Sequence, residues 1–340
     1  MSIFCEINIS RPASEEFKPG DAVSGLIGYE VDEKTVFNKI TVSLKGYGYL
    51  RIINRHHKED PKYYNKEEYV NNDNVIVDSE IVLPIGEYET KFSFKLPENI
   101  PPSFVYHNNK NGYCIKCKIF YFIQIKFNSP DVLRSPEIFK KEIKVGTVLT
   151  SSLLKEPTVY SKQKKIVQLF SGNNTITIKA GIDKSVINNC EMLKFHYKVI
   201  NDTNVAINSI EVKLVEVHTF NATGLQPVKR YNKVKETKSR TASIKGGDIQ
   251  KKHFEIIVPF DKKTLQHSKI VSRDYFVKIR VLLPLFRQNF ALYIPIEVGD
   301  ENLTETELFE SRRSYWEVMD ECKVNKVIND KEHCITNNEI

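Results

Sequence analysis

The chain has 340 residues, 41% of them hydrophobic and 27% charged, as in a globular protein with room for two cores. Its net charge of +7 comes from 50 basic and 43 acidic residues, an excess that permits an acidic lipid or phosphorylated partner but does not indicate nucleic-acid binding. No apolar run approaches the ~18 residues of a membrane span. The opening MSIFCEINIS lacks the features of a signal peptide, so we predict a cytoplasmic protein.

The first part of the chain has the pattern of a β-sheet protein. Residues 1–31 are predicted to form two strands around the turn FKPGD, because proline followed by glycine favours a tight turn. The next strand is predicted at 36–50, and Gly46 and Gly48 fall on its inward side, which indicates a bulge or a close backbone approach. Residues 51–80 are polar, and we predict a long loop there that is functional or disordered.

The most informative stretch is YETKFSFKLPENIPPSF, residues 88–104. Phe92, Phe94 and Leu96 alternate with polar residues, which is typical of a strand with one buried face. Pro97 is predicted to end this strand, because proline has no N–H for the ladder.

Further apolar positions continue the sheet pattern of the first domain. Phe104 is available as an anchor after the extended proline segment. An alternating strand is predicted at 113–125, and a strand at 139–145 is expected to close the domain.

The second half of the chain repeats this order. HFEIIVPF at 253–260 repeats the strand that ends at Pro97, at an offset of 162 (259 − 97), and SIEVKLVE at 209–216 repeats KITVSLKG at 39–46, at an offset of 170 (210 − 40). A repeat of this length predicts two homologous β domains in tandem.

We predict four regions from this pattern. The first domain spans 1–150, a linker with the first strand of the second domain spans 151–173, the second domain spans 174–300, and a polar tail spans 301–340. The tail lacks alternation and is predicted to be mostly disordered, with one short helix as the alternative.

Three features are expected inside or just before the second domain. Its first strand is predicted at 166–170, after the linker, and its last strand at 290–298 from apolar alternation. Gly246, Gly247 and Asp248 are predicted to form a hairpin turn.

The motifs described so far resemble the arrestin-domain family. A Pro-Gly-Asp turn before VSG, an I-x-V-x-L-x-G strand and a Y-x-x-x-F-x-F-x-LP-x-x-xPPSF block are most similar to its arrestin-domain-containing (alpha-arrestin) branch, over about residues 1–300. The resemblance implies an all-β fold of two tandem arrestin-type (immunoglobulin-like) β-sandwich domains. It also implies a cytosolic adaptor, recruited to the plasma membrane or endosomes, that binds cytoplasmic parts of cargo or receptors and directs their endocytosis, sorting or ubiquitination.

The sequence departs from the family in two places. Alpha-arrestins typically carry PPxY motifs that dock into WW domains of HECT-type ubiquitin ligases, and no PPxY is present in this sequence. The first strand, IFCEINIS, has no lysine, whereas visual and beta-type arrestins carry adjacent lysines there that sense receptor phosphates. A receptor-desensitising signalling arrestin and a structural trafficking-coat scaffold remain as alternatives.

Candidate chemistry is sparse in the sequence. Cys114 and Cys117 have the spacing of half a zinc site, but no second pair exists and residues three apart on a strand point to opposite faces. His56 and His57 with Asp60 lie in the predicted loop. We interpret both sets as ordinary residues, and without a nucleophile elbow, phosphate loop or paired carboxylates we predict no enzyme, no cofactor and no metal.

The predicted contact site is the basic segment KRYNKVKETKSR, residues 229–240, with a local charge of +5 from six bases and one acid (6 − 1). It is a candidate for contact with anionic lipid or a phosphorylated tail, and a solvated hairpin strand is the alternative. Its bases are Lys229, Arg230, Lys233, Lys235, Lys238 and Arg240. In the tail, Tyr315 and Val318 fit a tyrosine-plus-apolar sorting motif, and a helix that docks back on the body is the alternative.

Overall fold

The structure is a computed structural model that describes residues 3–131, 133–150, 153, 158–166, 175–188 and 191–299, and the backbone of 326–327. Throughout these residues the regular structure is β-strand, and no helix there is long and apolar enough to cross a membrane. The contacts divide the chain into two compact units. Unit 1 comprises Met1–Val148, Thr219–Lys229 and Leu265–Ser272, and unit 2 comprises Leu149–His218, Arg230–Thr264 and Arg273–Ile340.

Unit 1 is a sandwich of two main sheets around one core. One sheet has the order β1-β2-β7, and the other has the order β10-β9-β4-β5 with β8 beside the first half of β9, while β3 pairs with β6. Its strands are β1 (Ile3–Ile9), β2 (Ala22–Val31), β3 (Thr35–Phe37), β4 (Lys39–Asn54), β5 (Lys62–Val77), β6 (Ile81–Leu83), β7 (Gly86–Lys95), β8 (Phe104–Lys110), β9 (Tyr113–Asn128) and β10 (Glu137–Ile143).

The block at 88–104 takes the predicted form. Phe92, Phe94 and Leu96 are buried in the core of unit 1, and β7 ends at Lys95, before Pro97. Because Phe104 is buried as well, the proline segment between them runs across the end of the sandwich with an apolar anchor at each side.

The two glycines of β4 allow close packing, as predicted. A register shift between β4 and β5 lies at Gly46 and Tyr47. A Cβ on Gly46 would lie 2.4 Å from the ring of Tyr121. Tyr121 is fully buried, and its hydroxyl donates a hydrogen bond of 2.6 Å to the carbonyl oxygen of Pro101. The bare backbone at Gly46 therefore provides the space for this ring.

The prediction of a long loop at 51–80 was wrong. The structure continues β4 to Asn54 and forms β5 from Lys62 to Val77, so only a short turn separates two long antiparallel strands. Most of β5 is exposed or half-buried, since it lies at the edge of the sheet. A strand at the edge of a sheet pairs on one side only and tolerates polar residues. Because β5 is rich in such residues, its sequence lacks the apolar alternation that predicts a strand.

Unit 2 contains the strands from β11 onward and repeats the layout of unit 1. One sheet has the order β18-β14-β12-β11-β21, and the other β13-β20-β19-β15-β16 with β17 beside β15. Its strands are β11 (Thr158–Lys165), β12 (Thr175–Ile182), β13 (Val186–Ile187), β14 (Met192–Asp202), β15 (Ser209–Phe220), β16 (Val228–Lys233), β17 (Ser239–Arg240), β18 (Ile249–Ile257), β19 (Val271–Leu282), β20 (Phe290–Val298) and β21 (Lys326–Val327).

The repeated sequence blocks occupy equivalent strands. β4 and β15 each lie between a long partner and an edge strand, β9 and β19 are those long partners, and β7 and β18 each lie at an edge of the opposite sheet. The predicted all-β fold with two tandem domains of one pattern is therefore confirmed.

One predicted detail of the second domain lies mostly outside the described residues, and another differs from the structure. The domain's first strand is β11, which ends at Lys165, whereas the predicted strand at 166–170 falls mostly outside the described residues. A turn is present at Gly246 and Gly247, and Gly247 has a φ of +82°. It is not a hairpin, because Ile244 before it pairs with Ile207 while β18 after it pairs with β14 in the other sheet.

Candidate binding surfaces

The hairpin of β19 and β20 in unit 2 has a charged outer stem. Val277, Ile279 and Val281 are fully buried on its inward face. Lys278 and Arg280 alternate with them and therefore lie on the outer face of the sheet. Lys278 pairs across the hairpin with Tyr293, and its Nζ lies 5.0 Å from the centre of that ring.

The tip of this hairpin is apolar and exposed. The side chains of Leu285 and Phe286 are 87% and 105% accessible. Phe286 has a φ of +69°, which a bulky residue rarely adopts, and the N–H of Arg287 donates to the carbonyl oxygen of Pro284 at 3.2 Å. The turn thus presents two adjacent large apolar side chains to solvent with an arginine beside them.

A buried carboxylate organises the cations next to the stem. Glu211, on β15, accepts a hydrogen bond of 2.8 Å from Lys213 Nζ, and Lys238 Nζ lies 3.0 Å and Arg240 Nη2 3.5 Å from its other oxygen. Burial raises the pKa of this carboxyl, but the hydrogen bonds and charges of Lys213 and Lys238 outweigh it and hold the pKa at about 2. Glu211 is therefore ionised at neutral pH.

The cations exceed this one carboxylate. Burial and the charges of Lys213, Arg280 and Lys233 together lower the pKa of Lys278 to about 8, against the opposing effect of Glu211. Six cations belong to this cluster: three contact Glu211, and the other three are Lys278 and two further cations whose charges act on it. They are Lys213, Lys233, Lys238, Arg240, Lys278 and Arg280. An anion placed beside the stem would relieve this mutual repulsion.

The basic segment predicted from the sequence is only partly gathered at this cluster. Lys238 and Arg240 meet Glu211, and Lys233 lies near Lys278. Arg230 is buried, at 8% exposure, so it is not part of a flat basic surface. Lys229 and Lys235 are exposed. Their role in contact with anions stays a proposal.

Neither the hairpin tip nor the role of the cations of β19 was predicted from the sequence. One sequence signal for the tip was available, because Leu285 and Phe286 are two adjacent large apolar residues between Pro284 and Arg287. The cluster depends on pairing between distant strands, which local spacing does not reveal.

The remaining sequence candidates form no chemical site in the described residues. No group of three or more His, Cys, Asp or Glu that could hold a metal ion is found among them. Cys114 and Cys117 are both buried, and burial raises the pKa of Cys117 to about 12, so its thiol stays protonated. Tyr315 and Val318 lie outside the described residues.

Comparison with known families gives two matches. Residues 5–152 match the sequence model of the arrestin (or S-antigen) N-terminal domain, and residues 172–303 match that of the arrestin (or S-antigen) C-terminal domain. No curated protein sequence matches the chain.

Proposed function

Because the chain belongs to the arrestin family, which supports an adaptor or signalling role in general, we propose that it is a non-enzymatic adaptor at membranes. It binds cytoplasmic segments of cargo proteins or receptors and directs their endocytosis, sorting or ubiquitination. The observation that carries the membrane location is the β19–β20 hairpin, with Leu285 and Phe286 exposed at its tip and cations on its stem.

The hairpin has the two elements of reversible membrane binding. Burying a Leu or Phe side chain in an apolar environment contributes about 1.5–3 kcal/mol. A Lys or Arg near an anionic leaflet adds about 1 kcal/mol. Tip and stem together favour recruitment from the cytoplasm to the plasma membrane or endosomes, whose cytoplasmic leaflets carry anionic lipid.

The partners follow from this arrangement and from the family. Lys229, Lys233 and Lys235 are exposed and are proposed contacts for anionic lipid or a phosphorylated tail. A HECT-type ubiquitin ligase is a proposed partner that would be reached without a PPxY motif, through other residues or a third protein.

Membrane binding is expected to depend on the hairpin tip. Replacing both apolar residues, Leu285→Ser with Phe286→Ser, is expected to weaken binding to phosphatidylserine-containing vesicles by about tenfold or more, because the inserted area is lost. Vesicle flotation of the full chain measures this. Phe260→Ser is the matched control, since Phe260 is 72% exposed in unit 2 but lies outside the hairpin. Equal flotation of the double variant and the intact chain would refute the membrane role of the tip.

A further inference from the structure

Unit 1 has a groove of about 620 Å³ that the proposed membrane hairpin does not use. It lies over β4, β5, β8 and β9, with Thr223 at its rim, where the Thr223 N–H donates to the carbonyl oxygen of Tyr64 at 3.1 Å. A groove of this size accommodates a peptide segment of a few side chains.

The strand register builds this groove from two neighbouring rows of four residues. The first row crosses the sheet as Lys66, Tyr49, Lys118 and Val105, and the second as Tyr64, Arg51, Lys116 and His107. All eight point to one face, because the intervening residues Leu50, Ile115 and Cys117 are buried in the core. We call these eight residues the cation–tyrosine array.

The array includes exposed apolar surface between its cations. Tyr49 is 43%, Tyr64 55% and Val105 73% exposed. Antiparallel sheets normally place polar residues on the face that meets water. Exposed apolar side chains gathered in one groove indicate a binding surface.

The charge of the groove has one sign. Its lining contains four Lys or Arg residues and no Asp or Glu. Lys118 is paired with Glu142 at 2.8 Å, whereas neither Arg51 nor Lys116 has a carboxylate within ion-pair distance among the residues that the structure describes. An acidic ligand would meet complementary charge here.

The ring of Tyr49 in the array already has neighbours. The rings of Tyr49 and Phe120 stack at 5.8 Å with an angle of 22°. Lys66 Nζ lies 5.5 Å from the Tyr49 ring and Lys118 Nζ 4.6 Å from the Phe120 ring. Single-stranded nucleic acid binds by stacking bases on open aromatic faces, whereas the Tyr49 ring already contacts Phe120 and Lys66. Side chains that pack against ring edges fit better.

We propose that the cation–tyrosine array binds a short acidic peptide segment whose carboxylates flank aromatic or aliphatic residues. Carboxylates pair with Arg51 and Lys116, and the apolar side chains pack against Tyr49, Tyr64 and Val105. The source of the segment, a cytoplasmic part of a membrane protein, rests on the proposed function.

The test is fluorescence anisotropy of the full chain with a fluorescein-labelled peptide, GELFEELFEG. We expect saturable binding that weakens with added salt. The variant Arg51→Glu with Lys116→Glu is expected to bind about tenfold more weakly or worse. Lys91→Glu is the control, because Lys91 is exposed on β7 in the other sheet and its reversal changes net charge without touching the groove. Unchanged melting temperatures ensure that the variants are folded.

Two further probes decide the chemistry of the ligand. The peptide GESSEESSEG has the same charge without apolar residues and is expected to bind clearly more weakly, as is the variant Val105→Ser with the first peptide. Equal binding of both peptides, or an unaffected charge-reversal variant, would overturn the proposal, and tighter binding of oligouridine would assign the surface to nucleic acid instead. If the chain floats with vesicles but does not bind the peptide, this inference alone is wrong. If it binds the peptide but does not float with vesicles, the proposed membrane recruitment alone is wrong.

Discussion

Replacing Gly46 with alanine is expected to destabilise unit 1 by about 3 kcal/mol, the cost of overpacking a well-filled core. The added Cβ would lie 2.4 Å from Tyr121 and 2.8 Å from Val70. Tyr121 cannot move aside easily, since it is fully buried and its hydroxyl is hydrogen-bonded to Pro101. In thermal unfolding of the full chain, we expect the transition of unit 1 to fall by roughly 10 °C.

A second glycine in the same unit provides the control. Gly28, in β2, has no atom within 4 Å of an added Cβ. Gly28→Ala is therefore expected to leave the transition unchanged or to raise it slightly, because alanine loses less backbone entropy on folding. A stable Gly46→Ala variant would mean that the ring of Tyr121 does not pack against β4 as described.

Replacing Glu211 with glutamine is expected to destabilise unit 2 by about 3 kcal/mol, as is typical when one partner of a buried ion pair is removed. The side chains of Glu211 and Lys213 are only 5% and 8% exposed. Without the carboxylate, the buried Lys213 loses the acceptor of its 2.8 Å hydrogen bond and stays beside the charge of Lys278. Chemical denaturation of both proteins at neutral pH measures the difference.

The pH dependence of stability provides an independent check on Glu211. Its pKa is about 2 in the folded chain, below the ~4.3 of an unperturbed glutamate. Its contribution is therefore present above pH ~4.3 and is lost as the pH falls toward 2, and Glu211→Gln is expected to flatten this part of the profile. Glu255→Gln is the control, since Glu255 is 44% exposed in its pair with Lys194 and such pairs contribute at most about 1 kcal/mol. Equal effects of the two substitutions would show that the cluster around Glu211 is not buried.

Much of the fold was predictable because one face of most strands is buried. In β7 and β19 most of the apolar residues alternate with polar ones, and this period of two identifies both the strand and its inward face. The strand end at Pro97 and the close packing at Gly46 were also predictable from single residues, because proline lacks an N–H and glycine lacks a side chain. β5 was not predictable in this way, because an edge strand rich in Lys, Glu and Asn becomes a strand through its pairing with β4.

The candidate sites depend on contacts between residues that are far apart in the sequence. Glu211 and Lys213 alternate with apolar residues in β15 and would be expected at a wet surface, yet Lys238 and Arg240 from a later segment close over them. The cation–tyrosine array likewise needs the register of four strands, in which Tyr49 lies opposite both Lys66 and Lys118.

The central claim is that this arrestin-family chain acts on membrane proteins at a membrane. The most direct measurement is cross-linked affinity capture of the tagged full chain from cells, read by mass spectrometry, beside the Leu285→Ser and Phe286→Ser double variant. We expect the intact chain to recover integral membrane proteins and the double variant to recover far less of them, with a HECT-type ligase as a further readout. Recovery of a fixed set of soluble proteins, identical for both chains and without membrane proteins, would contradict the account and favour a structural scaffold.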